Sequence, residues 1–465
     1  MDFQSSSGFI HATVCIAVFV DQYLYGILLT TLPYALKERI HISQEGSQYW
    51  TAILLSVHAI PPLVLSPVFG YLVDRFSKRL WWLRLAIVIE FASTLMICFG
   101  LSLWILVLAR LFHGISGAML KTGGVALLLG SVESKNIGRT LGILNTASVL
   151  ATILGPPITG AIYDSLGYYS VYYLAFAMLS IDVCFSFLVS EKPIIHDDVN
   201  IKLVDTNKRW PPVLSLLLVP RAVAAIYGSV VLAIVKQALN STLQFFVIRT
   251  FNWPISATGL VFLTLNLPGL LSPLAGYMSD IVGSRVLIVA GLLFSIMPLI
   301  LLRLVTKNSV GHKVLLCVLL ALARLSFSIA TTPLKAELVR VVHFTEHELP
   351  ELQSYGQVYS LLIVCTCVGQ LAGPNLGSFI DLHAGFGNLT LVLAMLNLTA
   401  VIPIMVWTGG GISFSWLSAL IGRPFKKSRT EPTQNGLAVP PSTLLLRTTV
   451  FLFFLSTTYL LTLLS

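Results

Sequence analysis

Long apolar runs alternate with short polar breaks along almost the whole chain. Twelve stretches have the length and hydropathy of membrane helices: 10–34, 49–70, 80–100, 102–127, 139–163, 168–190, 221–247, 255–277, 285–304, 313–334, 354–380 and 386–408. A helix needs about 20 mainly apolar residues to cross a bilayer, so the pattern predicts an all-α membrane protein of twelve spans, numbered here in chain order. The longest polar break before residue 335 is 191–220, with Glu191, Lys192, Asp197, Asp198, Asp205, Lys208, Arg209 and four prolines. It divides the chain into an N-terminal six-helix bundle at 1–190, a cytosolic linker at 191–220 and a C-terminal six-helix bundle at 221–408, with a substrate cavity expected between the bundles. Residues 409–465 form a basic tail with a terminal hydrophobic segment. Residues 448–465 leave three readings open: a thirteenth span, an interfacial helix or an artefact of gene modelling.

Composition agrees with this pattern. The chain is 56% hydrophobic and 11% charged, against roughly 25% charged in soluble domains. Its net charge of +9 reads as an orientation signal rather than a nucleic-acid footprint. With the amino terminus in the cytosol, 18 Lys/Arg fall on the cytosolic side and six on the other. The first run is too long for a signal-peptide core and is expected to stay in the mature protein. All six cysteines fall inside spans, where they behave as small apolar residues and offer no disulfide framework.

Two repeats relate the halves. Segment 70–79 (GYLVDRFSKR) closes span 2, and 276–285 (GYMSDIVGSR) closes span 8. Gly70, Asp74, Arg75 and Arg79 in the first, with Gly276, Asp280 and Arg285 in the second, mark tight charged turns at a membrane face. A second pair lies in spans 5 and 11, where Gly155, Pro156 and Gly160 answer Gly373, Pro374 and Gly377. Glycine allows close helix approach and proline bends the helix, so plain packing and a kinked gate both remain open.

These motifs resemble the major facilitator superfamily, and most of residues 10–408 resembles its fungal twelve-helix drug/proton antiporters and their vesicular-amine-transporter relatives. The charged loops are similar to the superfamily's loop signature. Gly155–Gly160 resembles its antiporter signature, although Thr159 stands where a glycine is expected. Segment 109–117 (ARLFHGISG) resembles the span-4 signature, with His113 where glutamine is common. The resemblance implies alternating access, inner-face gates at the charged loops and a proton-transfer role for Arg110. The acid that pairs with the loop arginine in relatives is missing at Gly130, with Glu133 three residues on.

Ionisable residues inside spans are functional candidates, because a partner or a wet cavity must offset their desolvation. Asp21 in span 1 shares neighbouring turns with Tyr23, Tyr25 and Gly26. It is read either as a proton site with Arg110 and His113 or as a static ion pair to Arg110. Lys121 is expected to snorkel toward the inner face, and Glu90 to make a structural contact in a peripheral span. Lys121 and Arg324 could also pair with acids or give the cavity a positive lining that favours anions, and for Lys236 and Arg324 pairing and cavity exposure both stay open. Tyr23, Tyr25, Tyr227, Lys236, Gln237, Asn240, Gln244 and Arg324 are the expected cavity residues.

No phosphate loop, nucleophile elbow or metal-ligand spacing occurs, so neither an enzyme, a cofactor nor a resident metal is expected. The sequence reads as a monomeric, multi-pass transporter whose partners are a small molecule, protons and lipid. Export of an amphipathic drug, toxin or secondary metabolite in exchange for protons is expected, at the plasma membrane rather than a vacuolar or vesicular one. The alternatives are a nutrient/proton symporter and a nontransporting sensor on the same scaffold.

Overall fold

The computed structural model describes residues 7–75, 79–130, 137–189, 220–348 and 355–408. These residues are helical and contain no strand. Twelve helices are long and apolar enough to span a bilayer. They are Gly8–Glu38, Gln44–Gly70, Leu80–Phe99, Leu103–Leu128, Gly142–Leu166 and Tyr168–Leu188, then Pro220–Phe251, Ile255–Ser279, Ser284–Leu304, Val310–Leu338, Leu361–Ala384 and Phe386–Trp407. Helices are the economical solution here, because lipid offers no hydrogen-bond partner and each backbone N–H must find its carbonyl within the segment. Large side chains such as Phe99, Trp104, Phe187, Phe294 and Ile402 point outward from the bundle.

Three spans depart from regular α-helix in their interior, each at a glycine or proline cluster. Span 2 breaks between Val57 and Ile60, just before Pro61 and Pro62. Span 4 passes through a π-helical turn at Leu120–Gly124, a segment ending in two glycines. Span 8 tightens into a 3-10 turn at Leu267–Leu271, between Ile255–Asn266 and Ser272–Val282. The helix of span 10 continues to Glu348, well beyond the apolar run.

Burial follows the two sets of helices. Two apolar clusters draw only on residues between Ile10 and Val189, and the largest only on residues between Ala225 and Ile404. The repeated Gly-Pro elements sit at matching contacts within each set. Gly155 in span 5 lies against span 1, where a Cβ would come 3.5 Å from the Tyr23 carbonyl oxygen, and Gly373 in span 11 lies against span 7, 2.7 Å from the Ile234 carbonyl oxygen.

Between the two sets, span 5 packs on span 8 and span 11 on span 2. A Cβ at Gly160 would sit 2.7 Å from the Ile255 carbonyl oxygen, and one at Gly259 would sit 2.5 Å from that of Pro156. These glycines therefore permit backbone-to-backbone contact across the halves. Asp164 Oδ2 accepts the Ser256 N–H at 2.8 Å, placing a carboxylate of one half at a helix N-terminus of the other. The Gln48 amide donates to Asp381 Oδ2 at 2.6 Å, Arg249 pairs with the same oxygen, and Asn375 donates to Ser56 Oγ at 2.8 Å. These polar links lie toward the face that charge counting reads as outer. A smaller apolar contact, Ala59 and Leu63 with Ile363, Cys367 and Leu371, continues the seam toward mid-membrane.

Candidate functional site

Spans 1, 3 and 4 bring charged side chains together inside the first set of helices. Asp21 and Glu90 are 1% and 0% exposed, and Arg110 and His113 are each 1% exposed. Arg110 and His113 are one helical turn apart, so they project from one face of span 4. Arg110 Nε donates to the Leu54 carbonyl oxygen at 3.0 Å, and its Nη1 lies 2.9 Å from His113 Nδ1. The Leu54 carbonyl is available because the N–H of His58, four residues on, turns to the Ser56 carbonyl at the break in span 2.

The other ring nitrogen of His113 faces two acids. His113 Nε2 lies 3.7 Å from Asp21 Oδ1 and 3.9 Å from Glu90 Oε1. Both separations exceed a hydrogen bond, and all three atoms are buried without a hydrogen-bond partner among the described residues. The second oxygens are held: Gln22 Nε2 donates to Asp21 Oδ2 at 2.6 Å, and Ser116 Oγ donates to Glu90 Oε2 at 3.2 Å. Lys121 Nζ completes the group 3.4 Å from Asp21 Oδ2. Asp182 in span 6 adds a further buried carboxylate near Glu90.

This arrangement corrects three expectations. Asp21 is not paired with Arg110, whose Nε and Nη1 go to Leu54 and His113 and whose Nη2 is buried without a hydrogen-bond partner among the described residues. Lys121 does not snorkel to the inner face but turns to Asp21 and is 26% exposed. Gly117 permits this, since a Cβ there would lie 3.1 Å from Asp21 Oδ1, and the π-helical turn begins just before Lys121. Glu90 is not peripheral, because span 3 packs its inner face directly on span 4 and delivers the carboxylate to His113.

The expected cavity residues divide. Tyr25 lies between the Arg110 guanidinium, 5.6 Å from its ring centre, and the His58 ring at 5.6 Å, while Gln237 of span 7 lies against Gly373 of span 11. Gln237 is itself bonded to Asn240 at 3.2 Å. Tyr23 is a correction: it is fully buried in the apolar core, stacked on Phe19 and covered by Gly155. Tyr227 is another, since its hydroxyl is bonded to Thr399 in the contact between spans 7 and 12. Gln244 is 0% exposed and so does not line an open cavity. Lys236 and Arg324 are partly exposed and form no ion pair among the described residues.

His58 is the residue that the charge inventory passed over. Its ring meets the His113 ring edge-on at 4.8 Å and is 4% exposed, linking span 2 to the cluster. Asp21, Glu90 and His113 also form a set of three donor atoms within 4.8 Å, invisible in the sequence because the residues are far apart along the chain. The Lys121 ammonium and Arg110 guanidinium already place positive charge beside that set, which disfavours a metal cation there. At the inner face, Arg285 donates to the Thr408 carbonyl oxygen, and Gly276 lies against Thr332. The side chains of Asp74, Arg75, Arg79 and Asp280, expected at the inner-face gates, the gate acid Glu133, the linker at 191–219 and the tail from 409 lie outside the described residues.

Helices broken at glycine and proline around a buried charge cluster define a membrane transporter scaffold, and residues 14–334 match the Major Facilitator Superfamily. The chain belongs to that family. It is 27% identical over 422 residues to an uncharacterized MFS-type transporter of Schizosaccharomyces pombe, covering 84% of this chain and 94% of the relative. It is 25% identical over 407 residues to the multidrug resistance protein MdtG of Proteus mirabilis, covering 85% and 92%. Among solved structures, the human organic anion transporter MFSD10 (TETRAN) matches with a TM-score of 0.61 at 15% identity, over 86% of this chain and all of that one.

Proposed function

We propose that this chain is a proton-coupled exporter of small amphipathic organic molecules, working as a monomer at the plasma membrane by alternating access. The observation that carries the reading is the His113 imidazole held between Asp21 and Glu90, with the facing atoms of all three lacking hydrogen-bond partners. With Arg110 donating to Nδ1, the neutral imidazole carries its proton on Nε2 and already offers a donor to both acids, so an added proton resides on Asp21 or Glu90 and removes one of the two negative charges facing the ring. The same proton, if it resides on Asp21, removes the charge that holds Lys121. Loading therefore changes the attraction between spans 1 and 4 at the edge of the inter-half seam. Arg110 acts through His113, fixing its ring by the Nδ1 contact. Deprotonation restores the Asp21–Lys121 pair.

Polar links between the halves toward one face support a state closed there, with the glycine contacts of spans 5 and 8 as part of the closure. The export direction draws on the likeness to antiporters and on a relative named for multidrug resistance. The test is flux in proteoliposomes under an imposed pH gradient, wild type against Asp21→Asn. Uphill movement opposite to protons in wild type, with only downhill exchange in the variant, supports antiport through Asp21. Equal proton-driven flux in both places the coupling elsewhere.

A further inference from the structure

We infer that the transported molecules are organic anions, and that Lys236 and Arg324 hold the anionic group; this deepens the transport reading above and rests on it. Lys236 lies at the middle of span 7 and Arg324 at the middle of span 10. A hydrocarbon core about 30 Å thick puts either midpoint about 15 Å from the headgroups, so lipid phosphate is out of reach of both. Spans 7 and 10 pack against each other, so the two mid-span cations stand at one depth in the membrane.

No described acid answers them. Glu337 pairs with Arg221 at 2.7 Å, and Asp381 is taken by Arg249 and Gln48. On the opposite half, Asp21 is already matched by Lys121. Cations near the bilayer centre persist where water or a counter-charge offsets their desolvation. Arg324 is also seated: a Cβ at Gly269, on the 3-10 turn of span 8, would lie 3.2 Å from Nε and 3.3 Å from Nη2. Glycine there leaves room for the guanidinium beside the backbone, and its Nε is buried without a hydrogen-bond partner among the described residues. Span 7 packs against spans 1 and 2 of the other half, so this helix fronts the seam. A carboxylate or sulfonate would receive the Arg324 fork and the Lys236 ammonium, while an apolar body would rest on the surrounding helices.

The test uses the purified full chain. Salicylate, cholate and 1-naphthalenesulfonate are compared with tetraphenylphosphonium, by binding in nanodiscs and by pH-driven flux in proteoliposomes. Wild type is expected to bind and move at least one of the anions. Lys236→Gln and Arg324→Gln are each expected to lower its affinity about tenfold or more, with Arg324→Lys intermediate. Melting curves establish which variants fold, and if Arg324→Gln does not, Lys236→Gln and the wild-type selectivity carry the result. Movement of tetraphenylphosphonium alone, or anion binding that is unchanged in the folded glutamine variants, overturns the anion assignment and leaves proton-coupled transport standing. Anion binding that depends on Lys236 and Arg324 without proton-driven movement of any probe upholds the anion site and overturns the transport reading. No binding and no movement overturns both.

Discussion

Gln48 of span 2 and Asp381 of span 11 meet across the two halves, the amide donating 2.6 Å to a carboxylate oxygen that Arg249 also engages. One buried acid thus ties both halves, while Ser378 Oγ lies 3.4 Å from the Gln48 carbonyl oxygen. Asp381→Asn removes the charge from this junction and weakens hydrogen bonds worth about 1.5–3 kcal/mol when charged. At ~1.4 kcal/mol per tenfold change, the closed state should lose about tenfold or more in population. Spin labels at Glu45 and His383, in a background without the native cysteines, should report longer distances. An unchanged distribution would show that the glycine seam alone keeps this end closed.

Gly160 tests that seam. A side chain there meets the Ile255 carbonyl at 2.7 Å and the Ser256 Cα at 2.9 Å, both backbone atoms that cannot rotate aside. Gly160→Val should separate spans 5 and 8 at a cost of about 1–3 kcal/mol and slow substrate exchange. Gly142→Ala, in the same helix with nothing within 4 Å of the added carbon, should transport normally. Equal activity in the two variants would mean that the span 5–8 contact does not limit turnover.

Glu90→Gln keeps the shape of the side chain and an oxygen for Ser116 but removes the carboxylate facing His113. Flux driven by a pH gradient should fall and its pH profile should shift, while downhill exchange continues. A profile that overlays wild type would restrict Glu90 to packing.

Arg110→Lys retains the charge and discards the fork. The guanidinium bonds the Leu54 carbonyl through Nε and reaches His113 through Nη1, two directions that a single ammonium does not reproduce. Proton-driven flux should drop about tenfold or more, as expected for a lost charged hydrogen bond. A lysine variant at the wild-type rate would show that charge alone suffices.

Much of the fold was legible along the chain. Crossing a bilayer is a local requirement, met when about 20 consecutive residues are apolar enough, so the runs disclosed the spans and the repeated loops disclosed the family. Asp21, Arg110 and His113 were legible as well, since charge in an apolar run stands out by itself. Their partners were not. Asp21 was expected to act with Arg110 and His113 or to pair with Arg110, and it meets His113 and Lys121 rather than Arg110. Tyr23 read as a cavity aromatic because it shares a turn with Asp21, yet the helix carries it round to the core side facing Gly155.

The sequence by itself determined that this protein spans a membrane in helices, belongs to a transporter family and carries charge where charge is costly. Only the tertiary structure decided which charges meet. Hydropathy is a property of each segment, whereas the contacts of Glu90 and Lys121 with the Asp21–His113 group arise from how spans 1, 3 and 4 rotate against one another. That rotation is set by where glycine admits a neighbour and where proline breaks a helix, and both act on residues far apart in the chain.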